Sequence, residues 1–410
     1  MKEQQETAVD IDSLLSGSSL TAESFVECVR RHPASALWAP FWLLRGKATL
    51  LRRLAEGARL DVTTLPYQPE AVEALRQARS EGSPIGLVTT ADPALAARVA
   101  EHLELGPVTA MNGPVHPIGW RPSAVLRALR LYQWLKNGLV FLPFLLSHEV
   151  GSARKGISAS LLFFAFSFCA SAGYVVNDII DRRQDRLHRR RRSRPIASGA
   201  LPLGVAVWLP VPLVALAGLC CVFLPPACGI ALAVYLTMTV VYSTKGKDLV
   251  MADVLLLAGL YLLRLLAGGA ATRDVVSHWL LAFALALFLS LALCKRVSEL
   301  IEWRSVARED APGRKYRADD VPVLEMMAVA SGFVACLIMV LYIQSPEILR
   351  LYRRPEYLWV AVVALLYWLG RLFLYSHRGE CPDDPLLFAI QDKTTLVVLA
   401  VASVCALGAV

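Results

Sequence analysis

An all-helical membrane protein preceded by a small α/β segment is the fold class this sequence predicts. Three observations carry it. Of the 410 residues, 56% are hydrophobic, and the mean hydropathy is +0.49, too apolar for an ordinary water-soluble chain. From about residue 121 onward nine apolar runs follow one another, most of them close to the length of about 20 residues that crosses a bilayer. Charge collects before residue 136 and in a few loops between the runs.

Residues 1–120 read as a domain of their own. The segment opens on the polar stretch Met1 to Asp12, which is no secretory signal, and includes AVDIDSLL at Ala8 to Leu15. A helical stretch follows, RHPASALWAPFWLLRGKATLLRRLAE. Then come TLPYQPEAVEALRQARSEG, the strand-like PIGLVTT at Pro84 to Thr90, and the helix DPALAARVAEHLEL. Strand, helix and second strand predict α/β layering. Within this domain Phe41 to Leu44 forms an apolar, membrane-touching patch that is too short to span.

Residues 121–410 hold the spans. The runs lie near 134–147, 157–176, 203–224, 226–243, 250–271, 277–294, 323–343, 357–375 and 394–410. The first is short, and Pro210 and Pro212 interrupt the third, which membrane helices tolerate. Nine crossings would put the two chain ends on opposite sides. Alternate loops carry the basic residues: Arg182 to Arg194, then Lys245 and Lys247, then the set from Lys295 to Arg317. The opposite loops hold Arg154 and Lys155, Arg273, and three arginines between residues 350 and 354. The richer set is expected to be cytoplasmic, and the N-terminal domain with it. The net charge of +8 follows from this topology and does not call for nucleic acid. Nine cysteines without a CxxC pair read as small apolar residues in a reducing setting.

The candidate chemistry centres on NDIIDRRQDRLHRRRRSRPIASG, Asn177 to Gly199. Asn177, Asp181 and Asp185 stand at i, i+4 and i+8, and Asp178 is an i, i+3 partner of Asp181, so all four share one helix face. Hard oxygen ligands crowded together suit Mg2+, which commonly bridges carboxylates to phosphate oxygens. The arginines from Arg189 to Arg194 suit the phosphate itself, although such a run also satisfies the positive-inside rule by itself. Other polar groups gather at the same membrane face. Tyr242, Lys247 and Asp253 flank the border of spans four and five. Lys295, Arg296 and Glu299 end span six, with Lys295 and Glu299 four apart. Lys136 and Asn137 enter span one. Arg264 lies deep in span five, where an arginine is costly unless it meets an anion in the bundle interior. Asp248, Asp253, Asp310, Asp319 and Asp320 read as solvated loop acids.

These residues carry a resemblance. NDxxDxxxD at Asn177 to Asp185, YSxxxK at Tyr242 to Lys247, and the charged loop after span six resemble the UbiA superfamily of intramembrane prenyltransferases. RALRLYQWLKN, SRPIASG, LYLLRLLAGG and LCKRVSEL are similar to its polyprenyl-phosphate phosphoribosyltransferase branch, in which a Lys-Arg…Glu pattern replaces the second aspartate-rich motif. The resemblance implies nine helices around a cavity open to the cytoplasm of a multi-pass inner-membrane enzyme. In it Asn177, Asp178, Asp181 and Asp185 hold Mg2+ and a donor diphosphate. Lys247, Arg194, Lys295 and Arg296 neutralise phosphates, Tyr242 and Asn137 bind substrate, and Lys136 and Arg264 face an acceptor phosphate. Glu299 orients a sugar hydroxyl or completes the metal site. The implied reaction is transfer of 5-phosphoribose from phosphoribosyl diphosphate to a polyprenyl phosphate, as in making arabinose precursors of a cell envelope. The alternative is prenylation of an aromatic ring by a polyprenyl diphosphate. A transporter would be expected to show paired halves, and no repeat is evident.

The N-terminal domain has a second resemblance. DIDSLL, with Asp10 and Asp12 two apart, and VTTAD, with Thr89 or Thr90 as the hydroxyl, resemble the first two motifs of haloacid-dehalogenase (HAD) phosphatases. Ser13-Leu14 replaces Gly-Thr, and after MNGPVHP the chain runs straight into the membrane domain. A later lysine and a final acidic motif have no place. A truncated, non-catalytic HAD-like domain with a regulatory or docking role is therefore expected.

Overall fold

The computed structural model describes residues 7–81, 85–110, 121–147, 149–187, 191–244, 246, 249–305, 315–348, 351–380 and 392–409. The chain packs as two units, residues 1–132 with 170–215, and residues 133–169 with 216–410.

The first unit opens on strand β1 (Thr7–Asp10). Four helices follow: α1 (Leu20–Arg31), α2 (Ser35–Leu44), α3 (Lys47–Ala58) and α4 (Pro69–Ser80). They lead to β2 (Ile85–Thr89), and helix α5 (Pro93–His102) leads on to β3 (Val108–Ala110). The sheet is parallel in the order β1-β2-β3, with Val9 opposite Leu87 and Leu87 opposite Val108. The helices start where capping chemistry allows. Ser19 Oγ accepts the Ala22 N–H, and Asp92 accepts that of Leu95 just ahead of Pro93; such caps satisfy otherwise orphaned amides. Ile11, Leu14, Leu20, Leu54, Leu87 and Val99 form the core.

The two aspartates at the end of β1 serve the backbone. Asp10 Oδ1 accepts the Asp12 N–H at 3.0 Å, and Asp12 Oδ1 accepts the Leu20 N–H at 2.8 Å. Burial pushes the Asp12 carboxyl up to about 6 from an ordinary 3.8, against the pull of the Leu20 amide. The stability of the neutral form is therefore complete below about 3.8 and declines as pH rises toward 6. Asp12→Asn keeps an acceptor for Leu20 and removes the charge. It is expected to stabilise the protein at pH 7 by roughly 1–3 kcal/mol, and to give no gain at about pH 3.5 in thermal unfolding. A lower melting temperature at pH 7 would show that the ionised form is needed.

Helix α6 (Pro122–Leu129) precedes a 3-10 stretch, Leu131–Phe141, and helix α7 (Leu142–Leu146). Helix α8 (Ala153–Leu187) contributes residues to both units. Its second half packs in the first unit with α6, the loop of residues 191–202 and helix α9 (Leu203–Trp208), around Val26, Ala124, Val175, Ile179, Leu201 and Leu203.

The second unit is helical: α10 (Pro210–Val222), α11 (Pro226–Thr244), α12 (Ala252–Thr272), α13 (His278–Ser305), α14 (Val321–Ile343), α15 (Leu358–His377) and α16 (Lys393–Ala409). The first of these lies across the boundary between the units. Leu265, Phe288, Leu293, Trp368, Leu369 and Leu372 pack in its main core. Gly268 lets α12 approach the 3-10 stretch, because a Cβ there would fall 2.3 Å from the Val140 carbonyl oxygen.

Seven described helices are long and apolar enough to cross a membrane, counting Leu203–Val222 as one. The nine apolar runs predict two more. The run near 134–147 becomes the 3-10 stretch and α7, because Lys136, Asn137, Gly138 and Pro143 break up a segment already short for a span. The last is an apolar helix of 17 residues. The eight described cysteines are free thiols.

Candidate active site

The singled-out side chains fall into three clusters, one in the first unit and two in the second. The first lies on α8. Its helical register continues past the apolar run, so the four oxygen-bearing residues share the face that their spacing predicts. Asn177 Nδ2 donates to Asp181 Oδ2 at 3.0 Å. Asp178 and Asp185 are 2% and 1% exposed. Arg194 Nη1 donates to Asp185 Oδ2 at 2.7 Å and to Asp178 Oδ1 at 3.2 Å, and Arg130 Nη2 reaches the same Asp178 oxygen at 2.5 Å. Arg130 also lies over the Tyr174 ring. The remaining oxygens of Asp178 and Asp185 have no hydrogen-bond partner among the described residues.

The neighbouring face of α8 is basic and bound from the first unit's α1. Arg182 Nε donates to Glu23 Oε2 at 2.8 Å, and Arg186 Nη2 donates to Glu23 Oε1 at 2.9 Å. Ser18 Oγ adds a third bond to Glu23 at 3.0 Å. Arg182 and Glu23 are fully buried. Burial alone would raise the Glu23 carboxyl, but the Arg182 and Arg186 guanidiniums outweigh it and hold the group below its ordinary range. Glu27 accepts from Arg30 and Arg31 and lies 3.8 Å from Arg183. The loop bearing Arg194 is fixed as well. Ser16 Oγ donates to the Ser198 carbonyl at 3.1 Å, and the Leu203 amide donates to the Gly17 carbonyl at 3.0 Å. Gly17 and Gly199 have φ of +59° and +78°, and a Cβ on Gly17 would fall 2.0 Å from the Gly199 oxygen. Only glycine fits so close a crossing of two left-handed backbones.

The second cluster surrounds Arg296 on α13. This residue is fully buried and donates to Asp253, Glu299 and Tyr242. Tyr316 lies 5.4 Å from its guanidinium carbon and donates to Asp253 Oδ1 at 2.7 Å. Two carboxylates thus surround one guanidinium, whose Nε is buried without a partner among the described residues. The sequence expectation for Asp253 is corrected: it is no solvated loop acid but fully buried, since α12 already contains it and turns it inward. Glu299 pairs with Arg296 three residues away, so the i, i+4 pair with Lys295 is not the described one. Lys295 is half-buried with no partner among the described residues. Lys247, Asp248 and Asp310 lie outside the described residues; Asp319 is exposed, and Asp320 accepts the Arg317 amide.

The third cluster surrounds Arg264, 4% exposed. Its Nε donates to Asn137 Oδ1 at 2.8 Å, its Nη2 to the Tyr235 hydroxyl at 3.1 Å, and its Nη1 to the Leu260 carbonyl. Asn137 donates in turn to Ser167 Oγ at 3.0 Å. Tyr235 and Tyr261 place their rings 4.9 and 5.5 Å from the guanidinium carbon. No carboxylate pairs with Arg264 among the described residues, so its charge is solvated by dipoles and rings. Lys136, one residue away from Asn137, is half-buried. Arg130, Glu23 and Tyr235 escape a reading of the sequence. Arg130 lies inside the RALRLYQWLKN motif, whereas nothing local marks the other two.

Seven helices long and apolar enough to span define a multi-pass membrane protein. The chain belongs to the UbiA prenyltransferase family, whose model matches residues 140–391, and it is a transferase. It is 34% identical to nodulation protein NoeC of Azorhizobium caulinodans over 66% of this chain and 88% of that one. It is 27% identical to the uncharacterized protein y4nM of Sinorhizobium fredii over 94% of this chain and 87% of the relative. A decaprenyl-phosphate phosphoribosyltransferase of Corynebacterium glutamicum is 38% identical over 186 residues, 44% of this chain and 55% of the relative. Among solved structures, one described as digeranylgeranylglyceryl phosphate synthase matches at TM-score 0.51 and 18% identity, over 69% of this chain and 96% of that one, which shows the shared fold.

Proposed function

We propose that the protein transfers 5-phosphoribose from phosphoribosyl diphosphate to a polyprenyl phosphate and releases diphosphate, working from the cytoplasmic face of the inner membrane. The observation that carries this reading is the acid cluster itself: Asp178 and Asp185, nearly inaccessible, share Arg194 and are joined by Arg130. Acids and guanidiniums interleaved in this way suit a metal-bound diphosphate, which needs both. The similarity to decaprenyl-phosphate phosphoribosyltransferases supports the choice of donor and acceptor.

Among the described residues no three His, Cys, Asp or Glu side chains converge as a metal cage. The donor set nevertheless fits magnesium, which keeps waters and takes one or two carboxylates together with substrate phosphates. Asp178, Asp181 and Asp185, with Asn177, would hold it, and bound there it supplies charge to the departing diphosphate. Arg130 and Arg194 give up bonds to the acids and take phosphate oxygens. In the reaction the C1–O bond to diphosphate breaks, and an acceptor phosphate oxygen forms the new bond to C1. The ribose passes through an oxocarbenium-like state that a site shielded from water protects. The charge of Arg296 is already matched by Asp253 and Glu299, which leaves Lys295 as the phosphate-binding candidate of that cluster, with Lys247 five residues after Tyr242 in the sequence. Arg296 instead orients Glu299 toward a sugar hydroxyl. Arg264, lacking an acid partner among the described residues, is assigned with Lys136 to the acceptor phosphate.

The N-terminal domain is assigned no hydrolysis. A phosphatase acid must be available to substrate, and the Asp12 carboxyl is committed to the Leu20 amide.

The deciding experiment offers the purified protein radiolabelled phosphoribosyl diphosphate with polyprenyl phosphate, and separately polyprenyl diphosphate with 4-hydroxybenzoate, each with magnesium. A labelled lipid from the first pair alone is expected. A prenylated aromatic from the second would transfer the protein to the other branch.

A further inference from the structure

Helix α2 has a job that the transferase reading leaves unexplained. Its sequence SALWAPFWLL contains no charged residue, yet it lies on the outside of the first unit. Leu37 is 83% exposed, Leu44 86%, Trp38 and Leu43 54%, and Phe41 43%. Only Ser35 is buried, while Trp42 packs partly against the core. Leu37, Phe41 and Leu44 recur at i, i+4 and i+7, with Trp38 beside them, so they form one stripe along the helix. Solvent-facing apolar side chains in such density mark an interaction surface.

The surroundings choose the occupant. Between Glu27 and Glu56 the chain has no acidic residue and six basic ones: Arg30, Arg31, Arg45, Lys47, Arg52 and Arg53. All six are exposed. Arg30 and Arg31 pair with Glu27, and Arg52 and Arg53 lie 4.0 and 3.7 Å from Glu56. Arg45 and Lys47, at the C-terminal end of the helix, have no acid partner among the described residues, and the Arg45 guanidinium lies 4.6 Å over the Phe41 ring. A short Trp- and Leu-bearing face bordered by arginine and lysine matches an anionic lipid surface, where aromatic side chains settle at headgroup depth and cations meet phosphates. A second copy of the chain fits poorly. Ten residues make a face of roughly 15 Å by 10 Å, far below the about 800 Å² per partner of a stable interface. Two copies would also bring like charges together.

We infer that α2 is an in-plane foot by which the N-terminal domain rests on an anionic phospholipid leaflet, with Trp38, Phe41 and Leu44 in the interface. This holds whichever substrates the transferase uses.

The test uses the full chain in nanodiscs of phosphatidylglycerol and phosphatidylcholine, with the photo-crosslinking substitution Phe41→benzoylphenylalanine. An aromatic replaces an exposed aromatic, so folding is preserved, and unfolding temperature verifies it. The same substitution at exposed Glu73 on α4 is the control. Irradiation is expected to yield a phospholipid adduct by intact mass from position 41 and none from position 73. Removing phosphatidylglycerol is expected to lower the yield about fivefold or more, the attraction of a single basic side chain for such a surface. Crosslinked dimers in place of lipid adducts, equal adducts from both positions, or no adduct at all would each overturn the foot.

Discussion

Asp185→Asn is expected to lower turnover by about 10²–10³-fold, the scale of losing one charge-stabilising group at a reacting centre. The amide keeps the size of the side chain and can still accept from Arg194 Nη1, which now lies 2.7 Å from Asp185 and 3.2 Å from Asp178. What disappears is negative charge, the property that matters for a divalent cation. The magnesium concentration needed for half-maximal rate should therefore rise about 10–100-fold, while the melting temperature stays near the parent value. That split separates a metal ligand from a packing residue. Unchanged magnesium dependence with normal turnover would remove the acid cluster from the reaction.

The second large effect is expected from Glu23→Ala. Arg182 is fully buried, and its close ion pair is with Glu23 at 2.8 Å; Glu27 is 4.0 Å away. Removing one partner of such a pair leaves an unmatched buried charge, which costs about 3–5 kcal/mol. Thermal unfolding in detergent should show a marked fall in the first transition. Turnover should fall with it, because Arg182 and Arg186 occupy the helix that presents Asp181 and Asp185. The paired change Glu23→Leu with Arg182→Met removes both charges and is expected to restore most of the stability, as buried ion pairs exchanged whole for apolar groups often do. If Glu23→Ala melts with the parent protein, the clamp between α1 and α8 does not exist in solution.

How far these features can be read from the chain differs residue by residue. The i, i+4, i+8 acids are legible because helical periodicity is local, and α8 carries its register from Ala153 to Leu187 without interruption. Arg264 is legible too, since an arginine amid leucines signals a buried polar site, though its Asn137 and Tyr235 partners are not. The bond between Glu23 and Arg182 spans 159 positions, and nothing in a helix of mixed charge says which acid will be buried. Asp253 reads as a loop acid because the chain around it is rich in turns and charge. Only tertiary packing against Arg296 and Tyr316 shows it inside.

The crossing of Gly17 with Gly199 has a practical consequence for anyone trimming this protein. A shortened chain that begins after the leading domain would lose Val26 from beside Ile196, Leu201 and Leu203, uncover that greasy surface to water, and strand Arg182 without its counter-ion. Residues 1–132 and 170–215 pack as one unit, so the leading segment and the stretch around the aspartates should be expressed, purified and engineered together.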